Sequence, residues 1–579
     1  MAIIFKIFNN SSSSSQNSSR TSQKSCIVVI IFLILITLLL SSFFLDFSPI
    51  SKRKQHQVLS DSAIPSLHPT VKTVCKTTLY PSLCFTTLSS TNSTTFRRIL
   101  ETAMTASEKS VAKIRTQLQA YLAFQDLISH EKVALRDCLE MLDQTLDELG
   151  QAMDHLLAFP ASLPNIGLLY SNLKTLLSAS MTNQHTCIDG ISDSNRSDFS
   201  VAKQIGDSLI PVIRMISNCL AIVTYMETIN KDKSGNHRHL FAKMTQRGRG
   251  KFPAWMTSSD RILMEKKHKI KANITVSGDG SGDYRSISEA IKMVPKRSKN
   301  RFVIKINAGV YNETVEIPRE KMNIMLIGDG MSKTIITGSK NIVDGFSTID
   351  SATLSVAGDK FLARDLTILN TAGPHKYQAV AARVTSNSAF YRCNFSSYQD
   401  TLFAHSLRQF YRECTIQGTI DFIFGNAAAV FQNCLIVVRK PIHGQSNMIT
   451  AQGRKDPNQN TGFSLENCTI VAGEELKAWT FLGRPWGNYS RTMVMKSYLG
   501  KLIHPQGWYK WDKYSTLETV EYIEHMNYGP GSDTRHRIKW RGYKKNCSQE
   551  IAQHFTVGEF LRDADSWLVS TAFPLFTAS

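Results

Sequence analysis

FYRCNF (390–395) recurs along the chain as FYRECTI (410–416), FQNCLI (431–436) and FSLENCTI (463–470). Its first three cysteines, Cys393, Cys414 and Cys434, are 21 and 20 residues apart, and Cys468 follows after a longer insertion. Short β-rich phrases at that period, with no helical pattern between them, predict a parallel β-helix. Each coil then stacks on the previous one at about 4.8 Å, so residues one repeat apart become neighbours on one face. Cys414 and Cys434 fall near the ~5.5 Å Cα separation that a disulfide prefers. Cys393 competes for Cys414, however, and spacing alone does not settle the pair. The runs RFVIKIN (301–307), NIMLIGD (323–329), TIITG (334–338) and FLARDLTILN (361–370) carry the β pattern upstream.

The same ruler measures the polar residues. Gln378 in YQAVAARV precedes Gln399 in SYQDTLFA by 21 residues, and Asp400 precedes Asp421 in GTIDFIFGN by 21. A lone aspartate among isoleucines and phenylalanines is most simply a turn residue, or a buried acid held by an arginine. Leaving such a carboxylate unpaired costs several kcal/mol in effect. Two carboxylates and two amides at one coil spacing form a more specific pattern. Close carboxylates separate in pKa, so one stays an anion able to attack while the other keeps a proton for a leaving group. Amide N–H groups suit an oxyanion formed at a carbonyl. The pattern points to acyl transfer without serine or histidine. No G-x-S-x-G, H-E-x-x-H or C-x-x-C motif occurs, so neither a metal nor a cofactor is expected.

Charge and the N-terminus narrow the partner. The 579 residues carry 67 basic and 47 acidic side chains, a net charge of +20, which favours a polyanionic partner. Residues 1–25 include a Ser/Asn-rich tract and read as a disordered tail. CIVVIIFLILITLLLSSFFLDF (26–47) is long enough to span a bilayer, as a signal anchor or a long signal peptide, and 48–70 is a linker. The remainder is expected in the secretory pathway, at the cell surface or outside it, with membrane contact only through 26–47. That excludes nucleic acid. Ten of the eleven cysteines lie beyond the apolar segment, where disulfides persist.

Residues 71–228 have helical periodicity. In VALRDCLEMLDQTLDELGQAMDHLLA (133–158), Leu135, Cys138, Leu139, Leu142, Leu146, Leu149, Met153 and Leu156 keep three- and four-residue spacing. Several such segments predict an all-α four-helix bundle. Cys75 and Cys84 flank a proline turn that brings them together. Residues 229–271 form a basic linker, in which Arg247, Arg249, Lys251 and Arg261 are candidate determinants for a subtilisin-like protease, and 272–579 hold the β-helix.

VCKTTLYPSLC (74–84), ALRDCLEMLDQTLDEL (134–149) and HTCIDG (185–190) resemble the plant invertase and pectin methylesterase inhibitor family. That resemblance implies Cys75–Cys84 and Cys138–Cys187 bridges. From about 274 to 574 the chain resembles pectin methylesterases, on GVYNETV (309–315), QAVA (378–381), QDTL (399–402), DFIFGN (421–426) and LGRPW (482–486). The resemblance implies a right-handed parallel β-helix that hydrolyses methyl esters of homogalacturonan, releasing methanol. By its motifs, Asp421 is the nucleophile, Asp400 the proton donor and later base, and Gln399 a transition-state stabiliser. Gln378, Arg484, Trp486 and Thr348 are substrate-binding, Trp508 in GWYKW plays a part like that of Trp486, and Cys414 pairs with Cys434. The N-terminal bundle is expected to inhibit the enzyme before secretion to the cell wall, with the precursor anchored in the Golgi, and a separate proteinaceous inhibitor is a further partner. At the junction the chain reads DRILM (260–264), where family precursors carry paired basic residues and two leucines, so RGRGK (247–251) is the alternative cleavage site. The competing readings are a non-catalytic pectin-binding or inhibitor protein, and a polygalacturonase or lyase on the same fold.

Overall fold

The computed structural model describes residues 68–89, 95–123, 129–158, 166–194, 201–233, 271–512 and 517–562, all within one compact unit. The tail, the apolar segment, nearly all of 48–70 and most of 229–271, RGRGK and DRILM included, lie outside the described residues.

Two short helices, α1 (Pro69–Lys76) and α2 (Pro81–Thr87), each start on a proline, whose fixed φ suits a first helical position. A Cys75–Cys84 disulfide joins them. Four long helices follow: α3 (Phe96–Leu122), α4 (Ser129–Ala158), α5 (Ile166–Ser194) and α6 (Val201–Lys233). On α4 the periodic residues Leu135, Cys138, Leu142, Leu149 and Leu156 are buried, while Leu139, Leu146 and Met153 flank that stripe half-buried. Cys138 bridges to Cys187 and ties α4 to α5.

From Ile274 the chain winds through three parallel sheets of 11, 8 and 7 strands. Each coil gives one strand to each sheet, as in Ser388–Tyr391, Asn394–Ser396 and Leu402–Ala404. The next coil pairs with it at the expected offset: Phe390 faces Tyr411, Asn394 faces Thr415 and Leu402 faces Ile423. Inside, equivalent side chains form ladders. Phe390, Tyr411 and Phe431 stack with centroids 5.1 and 4.8 Å apart, at fully buried positions. The main core runs from Ile274 to Tyr522 and contains no residue of the bundle.

The repeated phrase marks one corner of the coil. Arg392, Glu413, Asn433 and Asn467 all have φ between 50° and 57°, and each is followed by an inward cysteine. Cys393, Cys414, Cys434 and Cys468 form a buried column of free thiols, which corrects the expected Cys414–Cys434 bridge. In-register stacking leaves parallel Cβ atoms about 4.8 Å apart, beyond the 3.5–4.5 Å a disulfide prefers. Each sulfur instead turns to a backbone carbonyl: Cys414 to Phe390, Cys434 to Tyr411 and Cys468 to Phe431.

Candidate active site

The seven-stranded sheet carries the site on its outer face. Gln378 forms a parallel bridge with Gln399, as the 21-residue ruler requires. Four residues on, Ala382 pairs with Leu402, an offset of 20. One extra residue is therefore absorbed between Gln378 and Ala382, as a bulge does. Asp400 and Asp421 precede equivalent strands, and the Asp400 amide donates to the Ile420 carbonyl across the coil at 3.0 Å. Both aspartates sit in the left-handed region, at φ 62° and 50°. Aspartate tolerates this conformation better than most residues, and such strain clusters at functional sites. Gly425, in the same motif, has φ 123°, and a Cβ there would lie 2.1 Å from the Ala404 oxygen.

Arg484 clasps Asp421 in two places, Nε to Oδ1 at 2.9 Å and Nη2 to Oδ2 at 2.6 Å. Burial raises the Asp421 carboxyl, and the hydrogen bonds and charge of Arg484 pull against that rise. Asp400 lies well above the usual carboxylate range, first through burial and then through the charge of Asp421, with Arg484 opposing. Two acids one coil apart thus have unlike environments, one clasped by a guanidinium and the other inclined to hold its proton.

Around them lies an aromatic floor. Register aligns Arg383, Phe403, Phe424, Ala451 and Arg484 in one row across five strands. Phe403 and Phe424 stack at 4.2 Å, and Trp486 tilts beside both at 6.5 and 6.3 Å. Gly453 makes room for that indole, since a Cβ there would come 2.8 Å from Trp486. Thr348 is half-buried in the loop before Ser351, whose hydroxyl accepts from the Val380 amide.

One expected residue is elsewhere. Trp508 is fully buried, stacked on Tyr522 at 4.2 Å with its N–H on Glu524, and offers no face to a ligand. Trp511 stands at the site instead, its ring 4.3 Å from the Arg484 guanidinium carbon.

The bundle meets this same face. From α4, Glu140 pairs with Arg383 at 2.8 Å and Asp147 with Arg319 at 2.6 Å, while Asp137 lies beside Ser347, next to Thr348. From α5, Asn172 accepts from Arg408, Thr182 from Asn426, Thr186 shares a 2.9 Å hydrogen bond with the His405 ring, and Asp189 pairs with Lys455 at 2.8 Å. From α6, Ser217 donates to Asp456 at 2.6 Å. Sequence reasoning missed these contacts. Their signal was a stripe of small polar residues on α5, Asn172, Thr175, Ser178, Thr182, Thr186 and Asp189, at three- and four-residue spacing.

Residues 273–565 match the family model described as Pectinesterase, and residues 69–222 that of the plant invertase/pectin methylesterase inhibitor. The chain belongs to the pectinesterase family. It is 44% identical over 528 residues to Pectinesterase 2 of Arabidopsis thaliana, covering 88% of this chain and 89% of that protein. With Pectinesterase/pectinesterase inhibitor U1 of Solanum lycopersicum it shares 43% identity over 531 residues, at 88% and 89% coverage. The solved pectin methylesterase from carrot is 50% identical, with a TM-score of 0.53, and matches 54% of this chain over 100% of its own length. The pectinesterase region thus holds the carboxylates and amides, and the inhibitor-like region supplies the helices that meet Arg383, His405 and Lys455 on the same face.

Proposed function

We propose that this pectinesterase hydrolyses methyl esters of homogalacturonan through Asp421 and Asp400, and that its own helical bundle holds it inactive. The observation that carries the reading is the pair of unlike acids one coil apart, Asp421 clasped by Arg484 and Asp400 raised. A carboxylate oxygen of Asp421 attacks the ester carbonyl carbon, and the amides of Gln399 and Gln378 receive the oxyanion. As the C–O bond to methoxide breaks, Asp400 gives it a proton and methanol leaves. The ionised Asp400 then takes a proton from water, whose oxygen attacks the acyl-enzyme anhydride. Collapse frees Asp421 and a galacturonate carboxylate. Arg484 orients the nucleophile, Trp486 offers a flat face to a sugar ring, and Thr348 contacts the substrate from the other side of the cleft. No metal or cofactor enters these steps.

The bundle straddles the site, touching Ser347 beside Thr348 at one side and Lys455 beside Trp486 at the other. A polymer cannot lie across that floor while α4 and α5 occupy it. Release requires cutting the basic segment between them, for which Arg247, Arg249, Lys251 and Arg261 are the candidates, in a secretory route that ends at the cell wall. The β-helix has its own core, and the carrot enzyme is matched along its whole length by about half of this chain. Residues 271–579 can therefore be assayed without the bundle. Methanol release from methylated homogalacturonan by this segment tests the reading, with Asp421→Asn and Asp400→Asn as variants. Wild-type activity in Asp421→Asn overturns it, and new reducing ends in place of methanol would mark a glycosidic-bond enzyme.

A further inference from the structure

Among the described residues Arg484, Arg383 and Lys455 rim the aromatic floor, and of these the proposed chemistry uses Arg484. Arg484 is committed to Asp421. Arg383 stands at the far end of the register row, four strand-to-strand steps away, or about 19 Å at the usual spacing. Its side chain is only 4% exposed, yet among the described residues its Nε has no hydrogen-bond partner and its one ion pair is with Glu140 of the bundle. Lys455 overhangs the floor from the side, its ammonium 5.6 Å from the Trp486 ring and paired with Asp189 of the bundle. Both cations thus meet carboxylates supplied by the helices that lie where a polymer would lie. Asp350, on the β-helix itself, and Asp137 also stand in the field around Arg383.

We propose that Glu140 and Asp189 occupy the places of two uronate carboxylates, and that Arg383 and Lys455 are specificity-determining residues that read free carboxylates on sugars flanking the reacting ester. The proposal rests on the esterase reading above. A methyl ester is neutral and offers no anion to either cation, whereas each completed turnover makes one. A row of four strand spacings accommodates a short oligosaccharide rather than a single sugar. Its stacked phenylalanines and indole take ring faces, and its end and side then sort the carboxyl groups by charge. The acids of the bundle satisfy the same two cations without presenting an ester to Asp421.

The test uses residues 271–579 and two oligogalacturonates of equal length, one fully methylated and one with alternate carboxyls free. Methanol release gives kcat/KM for each, and the ratio of partly free to fully methylated substrate is the readout. A merely structural or docking role leaves that ratio alone, because the bundle is absent. Lys455→Gln is expected to lower the ratio about threefold, and the deeper Arg383→Gln about tenfold. Lys455 is partly exposed, so its variant serves if Arg383→Gln fails to fold. A wild-type ratio in Lys455→Gln and in any folded Arg383→Gln overturns the carboxylate reading alone. No methanol from either substrate with the wild-type segment overturns the esterase reading beneath it.

Discussion

Arg484 holds both oxygens of Asp421, and no other cation has a hydrogen bond to that carboxylate among the described residues. Burial raises the carboxyl and the guanidinium opposes that rise, favouring the anion that the proposed attack requires. Arg484→Lys replaces a two-point fork with a single mobile ammonium. Losing one charge-assisted hydrogen bond costs about 1.5–3 kcal/mol, so kcat should fall roughly 10- to 100-fold. The acid limb of the pH–rate profile should also move to higher pH, because a less well-clasped Asp421 keeps its proton longer. A methanol-release profile with the wild-type limb would contradict this role for Arg484.

Asp400 gives a prediction in which activity and stability part company. Its folded carboxyl lies well above the usual range, through burial and then the charge of Asp421. Such a group contributes fully to stability below the ordinary carboxylate pKa, and the contribution is lost as pH rises through the folded value. An asparagine side chain at this position has no charge to bury. Asp400→Asn should therefore lose methanol release about 10²- to 10⁴-fold. Its Tm should equal or exceed that of the wild type at neutral pH, with the difference shrinking at acid pH. A lower Tm that is independent of pH would show that the carboxyl serves packing instead.

The repeat period made much of this site legible. One spacing, measured on the cysteines, set Gln378 on Gln399 and Asp400 above Asp421, because a β-helix turns sequence distance into position. The ruler failed where the chain leaves the coils. Trp508 and Trp511 lie three residues apart in a non-repeating segment, and nothing in GWYKW says which indole turns inward. It also gave Cα spacing without side-chain direction, so it left the pairing of Cys414 open, and the Cys414–Cys434 bridge came from the family resemblance. The docking stripe of α5 was hidden for another reason. Small hydroxyl residues in a helix read as a weakly polar face until a partner surface is known.

Docking itself can be loosened by charge. Glu140 and Asp189 are 44% and 35% exposed where they meet Arg383 and Lys455, so each pair is partly screened and worth up to about 1 kcal/mol. The full chain should release methanol more slowly than residues 271–579. Glu140→Gln with Asp189→Asn should raise its rate several-fold without reaching that of the segment, since the hydroxyl and amide contacts of α5 remain. Added salt should narrow the gap in the wild type more than in the double variant. Equal specific activity of full chain and segment would remove autoinhibition altogether.

Inhibition by the bundle should also weaken as pH rises through neutrality. Burial pushes Glu148 up to about 8 and Asp137 up to about 7, and both lie where α4 meets the β-helix, beside Arg319 and Ser347. Both are raised groups, so their contribution to the docked state is whole below the ordinary carboxylate range and lost as pH rises through about 7 and then about 8. His185 and His405 act at the other end. Burial lowers both, helped by Lys455 and Arg383 respectively, so their contribution is present at neutral pH and is lost as pH falls below the ordinary histidine range. Methanol release by the full chain, divided by that of residues 271–579 at each pH, should therefore be lowest in mild acid, rise through neutrality and level off above about pH 8. Glu148→Gln cannot ionise and should flatten the upper part of that rise. A quotient that stays constant from acid to alkali would mean that these buried groups do not govern docking.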